Sequence, residues 1–160
     1  MVLDPVFELE IPARPEFVAV ARLVVATAAR SRRTLEEERV DDLTLALSEA
    51  CTNAIEAHGG HAEDELVLVK VEEADDRFVV TIADRGPGFD PMEVPITPPV
   101  EDPERLRYER GLGIPIIRSL VDEVTFLSGA EGTTVSMVLF CPPAPGPELE
   151  LDADELGPGA

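Results

Sequence analysis

Tryptophan is absent from this chain, tyrosine occurs once, and there are only two cysteines, Cys51 and Cys141, in 160 residues. Two cysteines make no disulfide framework, and no CxxC or Cys/His metal spacing accompanies them. Bases are scarce as well: 13 Lys and Arg stand against 33 Asp and Glu, a formal net charge of −20. Binding to a nucleic acid backbone or an anionic membrane needs clusters of the missing sign, so neither is expected. No apolar run approaches the roughly 18 residues of a membrane span, and no basic-then-apolar leader opens the chain. A soluble, cytoplasmic protein is therefore expected. The phosphate-loop signature GxxxxGK[ST] is missing too.

What is present is a composition able to build a core. The hydrophobic fraction is 44%, and the length suits one domain. The acidity is partly a property of the C-terminus. From Pro142 onward the chain is mostly Pro, Gly, Ala, Asp and Glu, with Glu148, Glu150, Asp152, Asp154 and Glu155 and no base. Without those five acids, 28 remain against 13 bases, so the rest of the chain still carries −15. The expected organisation is one folded domain over 1–141 and a disordered acidic tail over 142–160.

Periodicity places the elements. Val6 to Ile11 reads as a strand ended by Pro12, and Pro15 suits the first turn of a helix reaching Arg30. Thr34-Leu35-Glu36-Glu37 has the form of a capping box, starting a second helix near Leu35 with Val40, Leu43, Leu47, Ala50 and Ala54 at helical spacing. Gly59-Gly60 ends it. Leu66 to Val71 and Phe78 to Ile82 read as a hairpin, as do Val124 to Leu127 and Thr133 to Phe140 around Gly129–Gly132. A short helix over Ile114 to Leu120 tolerates Pro115 in its first turn. Between Asp90 and Arg110, five prolines forbid a long helix. Strands grouped in hairpins imply an α+β, two-layer sandwich, with a mostly antiparallel mixed sheet covered on one face by helices. They do not fit the alternating βαβ order of a Rossmann fold.

The stretch Leu47-Ser48-Glu49-Ala50-Cys51-Thr52-Asn53-Ala54-Ile55 puts a carboxylate and a carboxamide four residues apart, on one face of the second helix. An Asn oxygen is a hard ligand suited to Mg²⁺, which keeps waters and phosphate oxygens as its other ligands. A carboxylate one turn away is placed to accept a proton during phosphoryl transfer. Asp84-Arg85-Gly86-Pro87-Gly88-Phe89 follows an apolar strand. It offers Asp84 at a strand end to an exocyclic amine, with Gly86 and Gly88 letting backbone approach a flat base. Arg110-Gly111-Leu112-Gly113-Ile114 turns backbone N–H groups and a helix N-terminus toward phosphate. Gly132-Thr133-Thr134 is either a plain hairpin turn or a source of a hydroxyl beside Asp84. His58 and His61 have no partner at ligand spacing and read as loop residues. Each motif alone is an ordinary surface feature; it is their combination and order that signify.

In that order, SEACTNA, DRGPGF, RGLGI and GTTVSM resemble the GHKL ATPase superfamily, and over residues 6–141 the chain is similar to the anti-sigma-factor serine kinases of the RsbW type. The resemblance implies ATP and Mg²⁺, with Glu49 as general base and Asn53 as the Mg²⁺ ligand. It implies that Asp84 binds the adenine amine, assisted through water by Thr133. Gly86 and Gly88 line the base, Gly111, Leu112 and Gly113 cradle phosphates, and Asp90–Arg110 forms the lid. Arg105, Arg107 and Arg110 remain alternatives for a basic contact to phosphate. The implied activity is phosphorylation of an anti-sigma-factor antagonist, with a sigma factor as the sequestered partner, Arg22 as a contact and a homodimer as the assembly. The alternative is a non-catalytic ATP-binding module that sequesters a partner. A histidine-kinase catalytic domain is disfavoured, because the chain carries no His-bearing dimerisation helices.

Overall fold

The computed structural model describes residues 2–32, 35–57, 64–85 and 113–142. Nine-residue β1 (Asp4–Pro12) leads through a 3₁₀ turn at Pro15–Phe17 into helix α1 (Val18–Ser31). Helix α2 (Glu37–Ala57) follows, then β2 (Leu66–Ala74) and β3 (Arg77–Ala83). Helix α3 (Gly113–Leu120) precedes the hairpin of β4 (Glu123–Gly129) and β5 (Gly132–Phe140). The sheet order is β1-β2-β3-β5-β4, and all four pairings are antiparallel.

Alternation along the strands explains why one face is covered. Val69 pairs with Ile82 and Ile82 with Val135; one step along, Val71 pairs with Val80 and Val80 with Met137. All six side chains are buried. The intervening row, Glu8, Lys70, Thr81, Ser136 and Thr125, is polar and faces away from the helices. Against the apolar rows lie Ala21, Val25 and Ala29 of α1 and Val40, Leu43, Leu47, Ala50 and Ala54 of α2, all within the core. Their spacing is one stripe of a 3.6-residue period, which is why these segments are amphipathic helices.

Several boundaries differ from the sequence expectation, each for a local reason. The first helix opens as a 3₁₀ turn at Pro15 before becoming α-helical at Val18. β2 and β3 run to a tight turn at Asp75-Asp76, so Glu72 and Glu73 belong to the ladder, opposite Val79 and Phe78. Helix α2 begins at Glu37, two residues later than expected, and Thr34 lies outside the described residues. The Glu37 carboxylate is engaged by Arg30, whose Nε donates to Oε1 at 2.8 Å, a charge-assisted pair closing the turn between α1 and α2. Arg32 secures the same corner to the sheet, donating to Glu73 Oε2 at 2.9 Å and to the Asp75 carbonyl at 3.1 Å.

Among the described residues no helix is long and apolar enough to cross a membrane. Cys51 and Cys141 are both free and buried. Burial raises the Cys51 thiol to about 12, and Cys141 is raised by the same cause. A raised pKa lowers the thiolate fraction, at pH 8 to about one part in ten thousand for Cys51. Native protein should therefore leave Cys51 unmodified by iodoacetamide at pH 8, and denaturant should make it react; mass mapping of the labelled peptide reads the difference.

Candidate nucleotide site

Helix α2 presents Glu49 and Asn53 on the flank of its apolar stripe, both half-buried. Ala50, Cys51 and Ala54 beside them are buried and fix the rotation of the helix. Helix α3 runs against α2 with the opposite direction. Gly113 at its N-terminus meets Glu49 and Asn53, while its C-terminal Leu120 carbonyl accepts from Arg39 in the first turn of α2 at 3.2 Å. The fit at Gly113 is close. A Cβ there would lie 3.1 Å from both Asn53 Nδ2 and Oδ1 and 3.2 Å from Glu49 Oε2. Glycine thus lets the helix N-terminus, with its outward N–H groups and positive dipole end, approach a carboxylate–carboxamide pair.

On the sheet side, Asp84 is the residue just past β3, half-buried. Its N–H donates to the Thr133 carbonyl at 2.9 Å, extending the β3–β5 ladder by one rung. Ile82 and Val135 belong to the helix-covered face, and two-residue alternation places Asp84 and Thr133 on that side as well. Thr133 is the buried polar residue among those described, 3% exposed, and its hydroxyl lies 3.0 Å from Ser128 Oγ. The resemblance implies assistance to Asp84 through water; in the structure the Thr133 carbonyl holds the Asp84 backbone, and its hydroxyl contacts Ser128.

Sequence reasoning passed over the role of Gly132. With φ at +134°, it adopts a conformation rarely open to side chains, and a Cβ would overlap the Asp84 carbonyl oxygen and lie 2.8 Å from Arg85 Cα. The hairpin tip of β4–β5 can close on the end of β3 only with glycine here. The signal was visible as Gly-Thr-Thr, but nothing local says that a turn packs on another strand's carbonyl.

The structure brings together Glu49, Asn53 and Gly113, and separately Asp84, Gly132 and Thr133. Gly86, Gly88, Gly111, Leu112, the 90–110 segment with Arg105, Arg107 and Arg110, and the acidic tail lie outside the described residues. Arg22 is exposed on α1, next to Leu23, itself 68% exposed. Among the described residues no group of three or more His, Cys, Asp or Glu could hold a metal ion. A cavity of about 190 Å³ is lined by Glu10, Asp64, Glu65, Leu68, Asp84 and Arg85 among others. Its carboxylates disfavour phosphate, so this is not where phosphates would sit.

The chain matches the family model of the histidine kinase-like ATPase domain over residues 11–139. The chain belongs to that family. It is 36% identical over 140 residues to the serine-protein kinase RsbW of Bacillus pumilus, covering 83% of this chain and 84% of that one. It is 32% identical over 153 residues to RsbW of Oceanobacillus iheyensis, covering 93% of both. Among solved structures, the RsbU and RsbW domains of a Mycobacterium tuberculosis protein superpose with a TM-score of 0.59 at 21% identity, over 88% of this chain and 34% of that one. A mycobacterial sensor histidine kinase, MprB, gives 0.52 at 17% identity, over 86% and 100%. These two likenesses show the same fold.

Substitution at the two glycines separates fold from site. Gly132→Ala should cost about 2–4 kcal/mol, combining positive φ with overlap on backbone that has no flexible end to yield; thermal or urea unfolding checks it. Gly113→Ala should change stability by less than about 1 kcal/mol, because its close neighbours are side-chain termini. Its expected effect is instead to displace the Asn53 amide, seen as a shifted side-chain amide resonance in the NMR spectrum.

Proposed function

We propose that the protein is an ATP-dependent serine/threonine kinase that phosphorylates an anti-sigma-factor antagonist and holds a sigma factor, in a circuit where the two partners compete for it. The observation that carries this reading is the Glu49–Asn53 pair facing the N-terminus of α3 across Gly113. A protein that only sensed nucleotide would need Asn53 and the helix end but no carboxylate beside them. The relatives' names as serine-protein kinases add independent support.

In this reading the substrate is ATP with Mg²⁺. The close contact at Gly113 and the hard oxygen of Asn53 fit such a group. Asn53 would hold the ion, which supplies neutralisation of charge on the phosphate oxygens. Asp84 would accept from the exocyclic amine of adenine and so choose the base. The N–H groups of Gly113 and its neighbours would receive phosphate. Glu49 would take the proton of the substrate serine or threonine hydroxyl as its oxygen forms a bond to the γ-phosphorus. The bond from that phosphorus to the β–γ bridging oxygen breaks, and ADP leaves with the electron pair.

Partner binding would use the exposed face of α1. Arg22 and Leu23 on the outer face of α1 offer a cation beside exposed apolar surface, a combination enriched at interfaces. A homodimer through the free edge of β1 completes the proposal. The non-catalytic alternative keeps every feature except the role of Glu49, so one substitution decides between them. Glu49→Ala should lower phosphotransfer to the antagonist by at least about 10²-fold while leaving ATP affinity within about threefold. Radiolabel transfer and calorimetry read the two quantities; unchanged transfer in the variant would remove Glu49 as the base, and binding without transfer in the wild type would return the reading to a binding module.

A further inference from the structure

We infer that Arg39 is a positioning residue for the nucleotide site, fastening the C-terminal end of α3 so that Gly113 at its other end meets Glu49 and Asn53 in register. The inference deepens the nucleotide-binding reading and rests on it.

Arg39 lies in the first turn of α2, the same helix that carries Glu49 and Asn53. Its guanidinium donates to the Leu120 carbonyl at 3.2 Å, to Asp122 Oδ2 at 2.6 Å and to Asp42 Oδ2 at 3.4 Å. Leu120 is the last residue of α3, where carbonyls have no intrahelical partner and a cation complements the dipole. Asp122 is itself held: Oδ2 accepts from the Phe140 N–H at 2.7 Å, and its own N–H donates to the Val138 carbonyl at 3.0 Å. One side chain therefore joins α2, the exit of α3 and the end of β5.

The need for such a fastening follows from α3 itself. Eight residues form a helix too short to be stable alone. Ile114 and Ile117 dock it by apolar burial, which is non-directional and fixes depth better than position along the axis. Its seven residue rises span only about 10 Å and behave as a rigid rod. A shift at Leu120 is thus passed to Gly113, which Asn53 and Glu49 border so closely that an added Cβ would stand 3.1–3.2 Å from their polar atoms. The three-point fork of Arg39 supplies the axial restraint that the isoleucines lack.

The test titrates Mg-ADP calorimetrically into the full-length wild type, Arg39→Met, Arg39→Lys and Asp122→Asn, well below their melting temperatures. Melting curves and amide hydrogen exchange accompany the titrations. Arg39→Met keeps the apolar stem and should bind about tenfold more weakly or worse, with faster exchange at Ile116–Leu120 and unchanged exchange at Leu47–Ala54. Arg39→Lys, which keeps one bond to the Leu120 carbonyl, should recover part of the affinity. A lowered melting temperature with wild-type affinity would show a merely structural role and overturn the inference. If Arg39→Met does not fold, wild-type affinity in both Arg39→Lys and Asp122→Asn overturns it equally. Absence of binding by the wild type would instead remove the nucleotide reading, and this one with it.

Discussion

The arrangement depends on how closely the N-terminus of one short helix can approach the flank of a long one. Helix α2 supplies a carboxylate and a carboxamide one turn apart; α3 supplies a helix end. A side chain larger than hydrogen at residue 113 would meet three polar atoms at 3.1–3.2 Å. The buried stripe of α2 sets its rotation, and the 21-residue length of the helix lets one element carry both Arg39 and the site pair.

The sheet contributes a second constraint of the same kind. Asp84 is held at the end of β3 by its N–H to the Thr133 carbonyl, and the hairpin carrying Thr133 closes on it only because residue 132 has no Cβ. Two glycines at separate places in the sequence thus set two distances, one between helices and one between strands. Both act by permitting backbone to come near, so neither shows as a chemical group.

Much of this was legible beforehand, and the reasons differ by element. The stripe Val40, Leu43, Leu47, Ala50, Ala54 reads directly as a helix because burial imposes the 3.6 period, and the hairpins read from alternation. The pairing of Glu49 with Asn53 followed from helical spacing alone. Less legible was anything set by partners distant in sequence. Glu37 reads in the sequence as the return half of a capping box, and its ion pair with Arg30 across the α1–α2 turn carried no local signal. The contact of the Thr133 hydroxyl with Ser128, its partner across the β4–β5 hairpin, was equally unannounced by the motif pattern. The link from Arg39 to α3 and β5 carried no signal, since Leu120 and Asp122 lie some eighty residues later.

The central claim is that these groups form a nucleotide site read by Asp84. Calorimetric titration of Mg-ATP and Mg-ADP into the wild type and Asp84→Asn tests it most directly. The account predicts saturable binding of both nucleotides in the wild type and its loss in the variant, because an amide in place of the carboxylate weakens the hold on the adenine amine. Equal binding by the two proteins, or none by the wild type at millimolar nucleotide, would contradict it.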